Sequence, residues 1–529
     1  NTGANAAVTL ASNTGATISF TNGLAITTTT GAGINATGGG NLAVEGTNNI
    51  VATGTGIAVQ ITETNVGSSG VRFRSVSSTN APNGIFLRNT GATGGEFWVD
   101  GTGTTGSGGS ILGATGNDGT ASGNGVYLSN VQNVSLSGMI INHSANHGIF
   151  GQTVNGFALR DSRIAGTHGT NVGFDESAVS VSQVTGVALF INDSISGGVE
   201  DNVRIVNTSG TLDSLVFNNV RIGHMDATQG NDAVLIRVQD AAVIKAKIRN
   251  STFHGARGDM LQFNVVNSGN GEIVMTGNTF HNTHPNVVSG VGGITLSGGG
   301  AGSTPKLRYA ITGNSFRGSR GTMLLISKGV GTADYAGTVE NNTFGISGSG
   351  AGSNNTTSTE GSALNVVLYG GGTHTTRIQN NQIHGYNNYG VLMEVGDFSG
   401  GGGGHGTLNA TITNNTIAEP GSFIYSKQGI HLNLGIITDD AHTACVNITG
   451  NSMDSSGDSQ DVRLRQRMKT TVRLPGFASS LSDNTAVNNF VRANNGNGAG
   501  LVVAASNSVG LAAPDGPGNG FIAGACPLP

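Results

Sequence analysis

One short string recurs along this chain and limits what it can fold into. It is an apolar residue, a variable one, two positions rich in Asn, Gly and Asp, another variable one, and a second apolar residue. It reads LRDSRI from Leu159, FINDSI from Phe190, FNNVRI from Phe217 and IRNSTF from Ile248. It continues with MTGNTF from Met275, ITGNSF from Ile311, VENNTF from Val339 and IQNNQI from Ile378, then ITNNTI from Ile412, ITGNSM from Ile448 and LSDNTA from Leu481. Successive copies start 27 to 39 residues apart. Between copies lies a second apolar run, such as AVLIRV from Ala233, LNVVLY from Leu364 or IHLNL from Ile430, and a further strand leads into each copy. A unit of three short strands is too thin to bury its own apolar face. Stacking equivalent strands from unit to unit removes the problem and gives a solenoid with one continuous core.

Composition narrows the choice further. Of 529 residues, 89 are Gly and 9 are Pro, and 10% are charged. Gly without a three-residue period and with so little Pro excludes collagen. A net charge of −5 excludes a charge-expanded disordered chain. It also speaks against nucleic acid as a partner. No apolar run is long enough to span a membrane. Residues 1–130 contain less regular but related strands, 131–490 the regular repeats, and 491–529 a Gly/Asn/Pro-rich tail. The expected fold class is all-β, a right-handed parallel β-helix of about 15–17 three-strand coils.

Seven consecutive copies carry Asn at one position: Asn278, Asn314, Asn342, Asn381, Asn415, Asn451 and Asn484. Asn tolerates the left-handed bend of a coil corner, and stacked Asn amides bond to the copies above and below. Two residues further on stands Phe or Ile, as at Phe253, Phe280, Phe316, Phe344, Ile383 and Ile417. That column is expected to stack inside.

The stretches INATGGGNLAVEGTNNIVATGTGIAVQITETNVGSSGVRFRSVS (34–77) and NGVYLSNVQNVSLSGMIIN (124–142), with the later TGNTF-type ladders, resemble right-handed parallel β-helix repeat proteins. The likeness is to large exported bacterial surface proteins of that kind, of the adhesin type. It implies export, extracellular or cell-surface placement, and adhesive or structural work. Some β-helix relatives cleave polysaccharides.

Signals for chemistry are sparse. Gly404–Gly406 reads GHG and 439–440 reads AspAsp, a pair of motifs found in β-helix polygalacturonases, but here in reversed order. Asp454, Asp458 and Asp461 offer hard oxygen donors of the kind Ca²⁺ takes, although a polar corner loop explains them more simply. No other cofactor is expected, and no catalytic residue can be assigned. Arg463, Arg465, Arg467 and Lys469 alternate with apolar residues. As a strand they share one face, either solvated or set against an anionic polysaccharide. Arg257-Gly258-Asp259 spells RGD, a chance match at a coil turn. Cys445 and Cys526 can pair within the chain, clamping the tail, or between subunits. Alternation from inward Ile448 points Cys445 outward.

These features favour a non-enzymatic extracellular structural protein, a self-assembling subunit of a bacterial surface filament or matrix fibre, with head-to-tail stacking or strand exchange at its ends. The alternative is a monomeric surface adhesin that binds polysaccharide, and the second alternative a polysaccharide lyase or hydrolase. The chain starts at Asn1 without an apolar leader and is read as a product whose export signal has been removed.

Overall fold

The computed structural model describes the chain apart from residues 92–93, 224–227, 348–360, 398–403, 422–427, 438–439, 455–458, 481, 497–499 and 510–519. It is a parallel β-helix, as the repeat predicts, with each coil contributing to three faces. Two compact units form. The first comprises Asn1–Ile236, Val243–Gly258 and His284–Asn286, the second Arg237–Ala242, Asp259–Thr283 and Val287–Pro529.

In the first unit the first-face strands pair in parallel, and Ile34, Val59, Ile85, Val126, Ile149, Val179 and Val203 lie in register, one per coil. All seven are fully buried. The second unit repeats this with Leu261, Ile294, Leu324, Leu364, Val391, Ile430 and Val462. Neighbouring positions point outward, so strands such as Ala333–Glu340 alternate strictly between buried and half-buried residues. Each Leu or Ile so covered contributes roughly 1.5–3 kcal/mol. The covering atoms belong to the next coil.

The third face carries the aromatic column that the sequence predicts. Phe280, Phe316, Phe344, Ile383, Ile417 and Met453 are in register and buried in the second unit. The Phe280 and Phe316 rings stack at 5.3 Å, and those of Phe316 and Phe344 at 4.7 Å.

Beside it runs the Asn ladder. The Asn278 side-chain amide donates to Asn314 Oδ1 at 2.9 Å, Asn314 to Asn342 at 3.0 Å, Asn342 to Asn381 at 3.0 Å, Asn381 to Asn415 at 2.9 Å and Asn415 to Asn451 at 2.9 Å. Each acceptor Oδ1 also takes the backbone N–H of the Asn before it. The second amide hydrogen goes to a carbonyl of the preceding coil, as from Asn342 to Ile311 at 2.8 Å. The side chain is therefore saturated inside the protein.

Two expectations need correction here. The left-handed corner is not at the ladder residue but one before it, at Asn341, Asn380 and Asn414 with φ of 56°, 56° and 57°, or at Gly277, Gly313 and Gly450. The bend turns the chain so that the following amide points along the stack. Asn484 does not belong to the ladder. It opens the helix Asn484–Ala493, which Asp483 caps by accepting the Ala486 N–H at 2.8 Å. Asn495 takes the ladder place instead, accepting from Asn451 at 2.9 Å and donating to Ile448 O and to the helix carbonyl of Val491.

This helix closes the last coil of the second unit. Val487 and Val491 are buried, Asn488 Oδ1 accepts the Ala505 N–H at 2.7 Å, and Arg492 Nε donates to Leu501 O at 3.0 Å. The edge of the strand Val503–Ser506 thus finds side-chain partners. The tail keeps the coil order further than its composition suggests. Val503–Ser506 pairs on Val462–Arg465, and Phe521–Ala523 on Val472–Leu474.

Long polar side chains close two interior corners of the same unit. Lys328 Nζ donates to the carbonyls of Gly329, Gly331 and Tyr369, and Gln466 Nε2 to those of Arg467, Met468 and Thr470. Burial, partly opposed by the Asp397 charge, brings the Lys328 ammonium down to about 8.

In the first unit other residues fill the ladder position. Met139 N–H donates to Ser162 Oγ, and Ser162 N–H to Asp193 Oδ1 at 2.9 Å, while Asp193 Oδ2 accepts the Ile191 N–H. Burial raises the Asp193 carboxyl to about 8, and these two N–H donors offset only part of that.

Two outcomes follow from the column. Asn342→Ala leaves neighbouring buried amide groups without partners and should cost about 2–4 kcal/mol in urea unfolding, whereas Asn341→Gly, at a φ that Gly accepts, should stay within about 1 kcal/mol. Asp193 binds its proton more tightly folded than unfolded. Its contribution is complete below the unfolded value near 4 and is lost as pH rises through about 8. Asp193→Asn should flatten that slope, so its melting temperature should gain on the wild type between about pH 4 and 8.

Candidate functional site

On the outer first face of the first unit, three rings stand over one another. Phe86 stacks on Tyr127 at 4.8 Å and Tyr127 on Phe150 at 5.3 Å, nearly coplanar in tilt at 13° and 14°. The Arg88 guanidinium lies 5.9 Å from the Phe86 centroid and the His147 ring 5.1 Å from Phe150. The ring faces are therefore engaged, and the stack offers solvent an apolar strip of edges.

Three residues further along these strands the chain turns a corner. Asn89, Asn130, Thr153 and Gln183 occupy it with φ of 52°, 51°, 56° and 51°. The Asn89 amide donates to Glu63 Oε1 at 2.5 Å and the Asn130 amide to Asn89 Oδ1 at 2.9 Å. Thr153 interrupts this second ladder. Its hydroxyl is too short to continue the ladder, and a β-branched residue in the left-handed region is strained, by about 1–3 kcal/mol. Gln183 turns to the next coil, bonding Thr208 Oγ1 and accepting the N–H groups of Thr208 and Ser209.

At the interruption lies a cleft of about 510 Å³. Asn130, Gln132, Thr153, Asn155, Thr185 and Ser209 line it, with Gly210 at its rim. Gln132, Asn155 and Thr185 follow one another coil by coil. Beneath them the buried Val131, Val154 and Val184 hold the backbone in place. Among the described residues, the side chains of Gln132, Thr153, Asn155 and Thr185 make no hydrogen bond within the protein, and no charged residue lines the cleft. Thr153 and Asn155 are exposed and Gln132 and Thr185 half-exposed, so their donors and acceptors remain available. The sequence reading missed this site. Its signal is a Thr in a column of Asn, Gln and Glu, which appears once the coil register is known.

The residues singled out from the sequence sit elsewhere. Arg463 and Arg465 point outward from Val462–Gln466, whose Val462, Leu464 and Gln466 are buried. The expected four-residue basic face is not formed. The strand ends at Gln466, Met468 takes a φ of 55°, and Arg467 and Lys469 fall in the turn. His431 is the in-register neighbour of Arg463. Burial and the charges of Arg463 and Arg465 push it down to about 4.

Asp461 is buried and accepts the Val502 N–H at 2.8 Å, Asp454 ends the strand Ser452–Asp454, and Asp458 lies outside the described residues. Among the described residues no three His, Cys, Asp or Glu side chains are grouped to hold a metal ion. Asp259 of the RGD string is buried and accepts the Gly292 N–H at 3.0 Å. His405 of the GHG string stacks edge-on against His442 at 5.4 Å, and Asp439 lies outside the described residues. Asp440 accepts the Ile436 and Ile437 N–H groups and faces His442 Nε2 at 3.4 Å, while His442 Nδ1 accepts the Gly406 N–H. Burial alone would raise the Asp440 carboxyl, but the His442 and backbone hydrogen bonds outweigh it and hold it low. These groups lock a turn.

Cys445 and Cys526 are joined within the chain, with 5.3 Å between their Cα atoms. Cys445 faces outward, as alternation predicts, yet it is buried. After Phe521–Ala523 the chain folds back over the outer second face. Gly524 lies against the Arg473 side chain, and Pro529 borders a hollow with Arg308, Ala336 and Gly337.

Compared with protein-family models, with curated proteins and with solved structures, the chain matches none of them.

The disulfide closes a loop across 81 residues of sequence. Cys526→Ser should lower stability by about 4 kcal/mol. Limited proteolysis followed by mass spectrometry should then find cleavage near residue 524, which the oxidised wild type resists.

Proposed function

We propose that the protein is an extracellular, cell-surface β-helix of the adhesin type that binds polysaccharide at the corner that ends the outer first face of its first unit. The observation that carries this reading is the cleft at Thr153, walled by uncharged side chains with open hydrogen-bonding capacity. Saccharide hydroxyls both donate and accept, as amides and hydroxyls do. The disulfide supports an oxidising, extracellular setting. Among the described residues no helix is long and apolar enough to cross a membrane.

A second reading, assembly of copies into a filament, draws on the first coil. There Val8, Leu10, Ile18 and Phe20 stay half-buried, and their strands have one parallel neighbour each. The helix Asn484–Ala493 weighs against head-to-tail stacking, because it covers the edge that a second copy would need.

Incubation with a panel of immobilised bacterial and plant polysaccharides distinguishes the two readings. The adhesin reading expects retention on at least one of them and a monomer in light scattering. Fibres in negative stain without retention would favour assembly.

A further inference from the structure

We infer that the cleft at Thr153 takes an uncharged glycan laid along the stack of coils, and that Thr153 is the residue that opens it. This rests on the polysaccharide-binding reading and specifies its ligand.

The lining decides the charge of the ligand. Among the described residues the cleft presents amides and hydroxyls and no ammonium, guanidinium or imidazole. A sugar carboxylate or sulfate entering it would lose hydration and find no cation in return. The nearby charges are already paired at one end, where Arg88 Nε lies 3.9 Å from Glu63 Oε1 and Glu63 also accepts from Asn89. A neutral sugar meets no such penalty. Each of its hydroxyls can give a hydrogen to one amide or hydroxyl and take one from the next.

The register decides the direction. Gln132, Asn155 and Thr185 repeat once per coil, so their spacing along the stack is the strand spacing of about 4.8 Å. A pyranose unit in an extended chain advances by about the same distance, so successive sugars can meet successive coils. The stacked rings of Phe86, Tyr127 and Phe150 run parallel to this row on the other side of the corner, Tyr127 and Phe150 each five residues before Gln132 and Asn155.

Thr153 decides whether the cleft exists. Asn89 and Asn130 show what the corner builds when Asn is present, an amide bonded to the amide below. An Asn at 153 would accept that geometry with less strain than Thr and extend the ladder over Asn130 into the open space. The strained residue thus holds a gap in a column that otherwise closes itself.

The test uses the full oxidised chain in isothermal titration with two sets of probes: neutral oligosaccharides (gluco-, manno- and N-acetylglucosamine oligomers) and oligogalacturonate. The expected result is binding among the neutral set, little change with salt, and an affinity lowered at least about tenfold, or about 1.4 kcal/mol, by Thr153→Asn with an equal or higher melting temperature. Asn155→Ala, at an exposed position, should weaken binding as well without touching the corner. Binding of oligogalacturonate alone would overturn this inference and leave the polysaccharide reading standing. Neutral binding that neither variant weakens would place the ligand elsewhere and overturn it too. Absence of binding to both sets, and to the immobilised panel, would remove the inference and the reading together.

Discussion

Each coil of this protein is one strand thick in the stacking direction, so no coil can own a core. Everything else depends on the hydrogen bonds and apolar contacts that pass from one coil to the next. The Asn ladder states this dependence in its sharpest form. Asn342 satisfies Asn314 below it, is satisfied by Asn381 above it, and anchors to the carbonyl of Ile311. Each of its buried polar atoms is paired with a neighbouring coil. Such a column tolerates insertions in the outer loops, which explains copy spacings from 27 to 39 residues, but it does not tolerate a missing amide.

The repeat made the architecture legible. Its apolar positions are the inward columns, and the Phe and Ile that follow the Asn are the third-face stack. Where sequence and structure part, one local pattern suits two structures. LSDNTA from Leu481 fits the strand motif, yet Asp483 is also a good helix cap, and Val487 and Val491 repeat at helical spacing. Tertiary context settles such a tie, because the coil beneath has an edge to cover. The corner stands one position before the ladder residue, and the sequence leaves the two alike for a similar reason. Asn suits both the left-handed bend and the buried ladder, and pairs such as Asn341-Asn342 contain both.

The site was far less legible. Charge drew attention to Arg463, Arg465, Arg467 and Lys469, and paired acids drew it to Asp454 and Asp461, but strand ends and backbone N–H groups account for where these side chains go. The cleft is built from residues that look unremarkable singly. Thr153 matters because of what stands at the same corner one coil below and one coil above, and that comparison needs the register.

The closure of the second unit bears on how it comes apart. Helix Asn484–Ala493 ties down the final edge, Asn495 terminates the amide column on a helix carbonyl, and the disulfide staples the returning tail to the wall. The helix and Asn495 both lie inside the loop that the Cys445–Cys526 bond closes, so a pull on the tail passes through the bond to the strand of Cys445 and bypasses them. While that bond is oxidised, the last coil cannot be unwound from its free end, and reduction would expose it to fraying.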